Sequence, residues 1–256
     1  MESRFMKRYF SEIAYNGTNY CGWQIQPNGD SVQGRLEEAI TTLLRQKTGI
    51  TGCGRTDSGV HARQYFFHFN CVGDLPQKFL YRINKLLPKD IVMKRVFEVD
   101  AGAHARFDAF YRSYEYHIGF QKDPFHIDTI YHYPFSGSLD LGKIQDAAAL
   151  LLNYKSFTPF CKSNSDVKTM DCLLYHSEWN YQKSQEKLIF NISANRFLRG
   201  MVRLIVGMCL NVAQNKLTLQ EVAETMQNQS RLKINLSVPP RGLFLTEIKY
   251  PFLESS

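Results

Sequence analysis

A chain of 256 residues, 44% hydrophobic and 21% charged, lies in the ordinary globular range, which excludes a disordered tail, a collagen-like repeat and a coiled coil. Lys and Arg number 31 against 24 Asp and Glu, and the net charge of +7 favours polyanionic partners. The charged N-terminus MESRFMKRYF lacks the apolar core of a signal peptide, and residues 204–210 are far short of the ~20 that cross a bilayer, so a cytoplasmic protein without a membrane span is expected.

Residues 9–15 alternate as a strand does. Ser31 then caps a helix whose apolar positions Val32, Leu36, Ala39, Ile40, Leu43 and Leu44 follow the helical period. An extended piece at 50–53 leads into the turn-rich GRTDSG, and QYFFHFN at 64–70 reads as the next strand. Pro76 opens a second helix that buries Phe79, Leu80, Ile83, Leu86 and Leu87. Pro88 stops it, and 91–99 returns as a strand. The order β-α-β-β-α-β is that of a ferredoxin-like unit. Past residue 102 the signals restart, with a strand at 110–120 and a helix carrying Leu141, Ile144, Ala148, Leu151 and Leu152. Paired strands at 172–179 and 187–194, helices at 197–214 and 219–227, and a closing strand at 242–250 follow. The expected fold class is α+β: two ferredoxin-like halves, 1–102 and 103–256, with their antiparallel sheets combined and a central cleft, where ligand sites tend to lie.

The six cysteines are dispersed without a CxxC pair, which argues against a zinc site and for free thiols. Between Ala39 and Gly73 the one acid is Asp57, amid Arg45, Lys47, Arg55 and Arg63. Between Lys187 and Gln220 there is none, against Lys187, Arg196, Arg199, Arg203 and Lys216. Either these are solvated basic faces, or they line the cleft and attract phosphates around one ionised carboxylate. In GRTDSGVHAR (54–63) two glycines bracket a tight turn. Asp57 either closes an Asx turn there or projects with Arg55, whose guanidinium would keep a nucleophile or base ionised. His61 is a loop anchor or a proton shuttle, according to the partner of its ring nitrogens. Along 104–118, Tyr114, Tyr116 and Ile118 share a strand face. Tyr116 reads as core, and Tyr114 as either core or a stacking platform for an unpaired base. Arg196, Arg199 and Arg203 recur at i, i+3 and i+7, a single stripe on the helix expected at 197–214.

Taken together, YNGTNYCGWQIQ (15–26), GRTDSGVHA (54–62), HARFDAFYRSYEYHI (104–118), FLRGMVRLIVG (197–207) and VPPRGL (238–243) resemble the TruA family of tRNA pseudouridine synthases. The resemblance covers both halves, in order. It implies a doubled ferredoxin-like catalytic domain, a homodimer, no metal or organic cofactor, and isomerisation of uridine at positions 38 to 40 of the tRNA anticodon stem-loop. By the same resemblance, Asp57 falls on the essential aspartate and Arg55 on an arginine that helps displace the base. Tyr114 falls on the tyrosine that stacks on the uracil, Arg203 on the aspartate's charge partner, and Leu243 on an apolar wall of the pocket. Asn16 stands where the family commonly has Asp, Leu204 where it often has Asn, and the tail past Phe252 is short. Two rival readings compete: a non-catalytic RNA-binding module, and an aspartate-dependent phosphoryl transferase, whose magnesium would want more than one carboxylate.

Overall fold

The computed structural model describes residues 5–27, 29–135, 137, 139–162 and 169–253. They form a mixed α+β protein with mostly antiparallel strands and five α-helices among the described residues. The chain divides into two compact units: the first runs to Phe110 and is rejoined by the chain from Leu245, and the second is Tyr111–Phe244. The sequence suggested a single join near residue 102. The two units instead exchange the chain twice, because the closing strand leaves the second unit and returns to the first.

In the first unit the elements are β1 (Met6–Tyr15), α1 (Val32–Leu44), β2 (Ile50–Gly52), β3 (His61–Val72), α2 (Phe79–Leu86) and β4 (Ile91–Val99). The strands run in the order β4-β1-β3, and β2 pairs antiparallel with residues 67–69 of β3. On the other side of β3 comes the closing strand, β9 (Leu243–Lys249), where the Ile248 N–H donates to Gln64 Oε1 at 2.8 Å. Helix α1 starts where Ser31 predicts: this residue is extended, and its Oγ accepts from the Gly34 N–H at 3.1 Å. Helix α2 begins three residues after Pro76, because Lys78 adopts a left-handed φ of 57° and the intervening residues form a turn. Phe10, Ile13, Leu36, Ile40, Phe66 and Phe67 are fully buried.

His68 on β3 is buried, and its Nδ1 accepts from the Ala105 N–H at 3.1 Å while the ring stacks on Phe10. Burial, reinforced by nearby Arg8, lowers its pKa to about 4. In the unfolded chain an imidazole titrates at about 6.5. Between these two values only the unfolded state takes the proton, so stability falls as pH drops from about 6.5 towards about 4. The urea midpoint is expected to be lower at pH 5 than at pH 7, with a smaller drop in His68→Gln. An equal drop in both proteins would assign the acid sensitivity elsewhere.

The second unit contains β5 (Tyr111–Gly119), β6 (Tyr131–His132), α3 (Leu141–Leu150), β7 (Leu174–Gln182), β8 (Lys187–Ala194), α4 (Met201–Ala213) and α5 (Leu219–Asn228). Antiparallel pairing gives the order β5-β8-β7, and the two-residue β6, too short for any periodicity to reveal, lies parallel to β5. Asp140 caps α3, and a reciprocal Thr218–Glu221 box caps α5. Helix α4 is buried on almost every side. It begins at Met201 rather than Phe197, because Gly200 takes a left-handed φ of 73° that a right-handed helix cannot pass through. Arg196 and Arg199 therefore precede the helix, and the single arginine stripe expected with Arg203 does not form. No helix among the described residues is long and apolar enough to cross a membrane.

Candidate active site

In the first unit the loop joining β2 to β3 carries Arg55, exposed, and Asp57, half-buried. A second segment, residues 15–23, clamps this loop at several points. The Tyr15 hydroxyl shares a buried hydrogen bond with Thr56 Oγ1 at 2.9 Å, and the Trp23 N–H donates to the Thr56 carbonyl at 3.3 Å. The Tyr20 carbonyl accepts from both the Ser58 hydroxyl at 3.2 Å and the Gly59 N–H at 3.3 Å. The carbonyl of Asp57 itself accepts from the Val60 N–H at 3.2 Å. Behind the loop, Tyr65 donates its hydroxyl to the Gly54 carbonyl at 2.6 Å, and its ring stacks on Trp23 with centroids 4.0 Å apart. Asp57 is thus held between neighbours that are both tied to the 15–23 segment, and its side chain leaves a turn with little freedom to move.

His61 is 1% exposed, and its Nδ1 accepts from the Gly17 N–H at 3.0 Å. That bond requires an unprotonated Nδ1, so the alternative left open by the sequence resolves in favour of an anchor. Gly17 is needed there for closeness: a Cβ on it would lie 2.0 Å from the Val60 carbonyl oxygen.

In the second unit Tyr114 is half-buried on β5, with its ring edge-on to Phe197 at 5.1 Å. Two residues along the same face, Tyr116 is fully buried and donates its hydroxyl to the Pro239 carbonyl at 2.7 Å. Burial, with Tyr131 nearby, pushes the Tyr116 phenol well above its usual range, and the positive charges of Arg203 and Arg241 oppose this. Arg203, in the first turn of α4, donates Nε to the Val238 carbonyl at 2.7 Å, while the Val238 N–H donates back to the Arg203 carbonyl at 3.3 Å. The segment 238–243 is therefore a strap fixed to α4 at one residue and to β5 at the next. It delivers Leu243, 6% exposed, to the start of β9.

Of the five predicted site residues, Arg55 and Asp57 share one loop of the first unit, and Tyr114, Arg203 and Leu243 lie on β5, α4 and β9 in the second. Sequence reasoning missed the clamp and the Tyr116 tether. A buried phenol must find an acceptor, so the isolated hydroxyl in the tyrosine-rich strand was the available signal for the latter. Among the described residues no group of three or more His, Cys, Asp or Glu is arranged to hold a metal ion.

A family model described as tRNA pseudouridine synthase matches residues 147–251, the part that contains Arg203 and Leu243. The chain is similar over almost its full length to tRNA pseudouridine synthase A of Porphyromonas gingivalis: 43% identical over 249 residues, covering 96% of this chain and 98% of that protein. It is 44% identical to tRNA pseudouridine synthase A of Bacteroides fragilis, covering 96% of this chain and 97% of that one. It is 35% identical to tRNA pseudouridine synthase A of Clostridium acetobutylicum, covering 96% of this chain and 100% of that one.

Proposed function

The chain belongs to the tRNA pseudouridine synthase A family, and from that premise we propose which residues carry its reaction. The enzyme isomerises uridine to pseudouridine in tRNA. We read Asp57 as the catalytic carboxylate, with Tyr114, Arg203, Arg55 and Leu243 binding the substrate uridine. The target lies at positions 38 to 40 of the anticodon stem-loop, and the protein acts as a homodimer of chains each built from two ferredoxin-like halves. The observation that carries this reading is the clamped loop, which fixes a half-buried Asp57 and leaves its neighbour Arg55 in solvent.

Pseudouridine forms when the N1–C1′ bond breaks, the freed uracil turns, C5 bonds to C1′, the C5 proton leaves and N1 takes one up. No redox step occurs. Positive charge gathers at C1′ as the glycosidic bond breaks, and a carboxylate is the group that answers it. Asp57 either captures C1′ or removes a sugar proton to give a glycal, and both routes need it ionised. Arg203, as its charge partner, favours that state. Tyr114 holds the uracil while it rotates, and its phenol is the candidate base for the C5 proton. A uridine in a stem must first leave the helix at a cost of roughly a few kcal/mol, and Arg55 fills the gap it leaves. Water at C1′ would yield an abasic site, so apolar residues such as Leu243 keep the pocket dry.

The test is tritium release from tRNA carrying C5-labelled uridine. The wild-type protein is expected to release tritium from anticodon stem-loop positions, and to do so equally in EDTA. No release at all would favour the RNA-binding module. Release that EDTA abolishes would contradict a reaction that runs on Asp57 without a metal.

A further inference from the structure

In the second unit a cavity of about 710 Å³ opens beside the start of α4, within the roughly 300–1,000 Å³ typical of ligand sites. Lys162, Arg199 and Arg231 line it, and the described lining contains no acidic residue. Two of these cations come from segments joined to each other, since the Lys162 N–H donates to the Arg199 carbonyl at 3.1 Å. The Lys162 stem lies across Gly200, where a Cβ would come within 2.8 Å of Lys162 Cε, so the glycine that starts α4 also seats the lysine. The N-terminus of this 13-residue helix adds its own positive potential. Ser237 also lines the cavity, and its buried Oγ has no hydrogen-bond partner among the described residues.

We propose that this cavity binds the phosphodiester backbone of the tRNA, as an anchoring site separate from the residues assigned to the reaction; the proposal rests on tRNA being the substrate. Phosphate, not base, is the moiety it fits. The described lining holds no aromatic ring on which a base could stack, whereas three cations match phosphate oxygens. Such contacts fix the position of the RNA without reading its sequence.

The experiment measures binding of unmodified full-length tRNA against KCl concentration for the wild type, Arg199→Gln/Arg231→Gln, Arg199→Lys/Arg231→Lys and Lys162→Gln. Each lost phosphate contact lowers the slope of log Kd against log salt by about one. The double glutamine variant is expected to lose about two from the slope and to raise KM at least about tenfold, with kcat at saturating tRNA unchanged. The double lysine variant keeps the slope. If the double glutamine variant does not fold, Lys162→Gln carries the test with a loss of about one. An unaltered slope and KM overturn the site, and that is also the result expected if the cavity served an acidic protein partner. The binding arm is independent of turnover. A lost slope in proteins that release no tritium would uphold the anchoring site and refute the assigned reaction, while normal turnover with unchanged slopes would do the reverse.

Discussion

Asp57→Asn and Asp57→Ala are expected to bind tRNA within about twofold of the wild type while tritium release falls by about ten-thousand-fold or more, the loss typical of removing a reacting group. That corresponds to about 5 kcal/mol of transition-state stabilisation. Both variants retain the contacts made by the Thr56 side chain and carbonyl, the Ser58 hydroxyl, the Gly59 amide and the main chain of Asp57, and these should keep the loop in place. Asparagine preserves the shape and removes the charge, so equal losses in the two variants would identify charge as the requirement. Turnover above about one per cent in both would end the assignment of Asp57 to C1′.

The second large effect lies away from the carboxylate. Gly17→Ala places a methyl group 2.0 Å from the Val60 oxygen and 2.7 Å from its carbon, both main-chain atoms that cannot swing aside. Either the 15–23 segment or the 54–61 loop has to retreat, and the Gly17 N–H to His61 bond breaks with it. Overpacking of this kind costs about 3 kcal/mol, which lowers Tm by roughly 6–12 °C at this chain size. Activity should fall further than stability explains, by about a hundredfold in folded protein, because a misplacement of about 1 Å at a reacting group has that effect. Gly54→Ala is the control: nothing lies within 4 Å of its added methyl, and it should melt and turn over like the wild type. If the two variants melt alike, Gly17 is not the contact point of the clamp.

Much of this arrangement was legible in the residues. Ser31 announced α1, the alternating aromatics announced β3, and a lone acid between basic neighbours marked Asp57. What escaped did so for physical reasons. Helical periodicity runs unbroken through FLRGM, and a glycine's left-handed φ leaves no trace in a hydrophobic pattern, so α4 was extended four residues too far. The clamp joins Gly17 to His61 and Tyr15 to Thr56, pairs more than 40 residues apart that no local signal connects. Tyr116 was rightly buried, but its hydrogen bond to Pro239 spans 123 residues and depends on the strap's path. Lys162 and Arg231 belonged to no motif at all, and become a set with Arg199 only around a cavity.

The return of β9 to the first unit has a consequence for how the protein is made. While the ribosome is still translating the second unit, the nascent first unit lacks both the strand beside β3 and Tyr250, whose fully buried ring packs on Phe10 and Phe66 and whose hydroxyl holds the Ala105 carbonyl at 2.6 Å. At about 5–20 residues per second that interval lasts on the order of ten seconds. A sheet edge that later becomes interior stays open throughout it, and premature termination before Leu245 would leave the edge open for good.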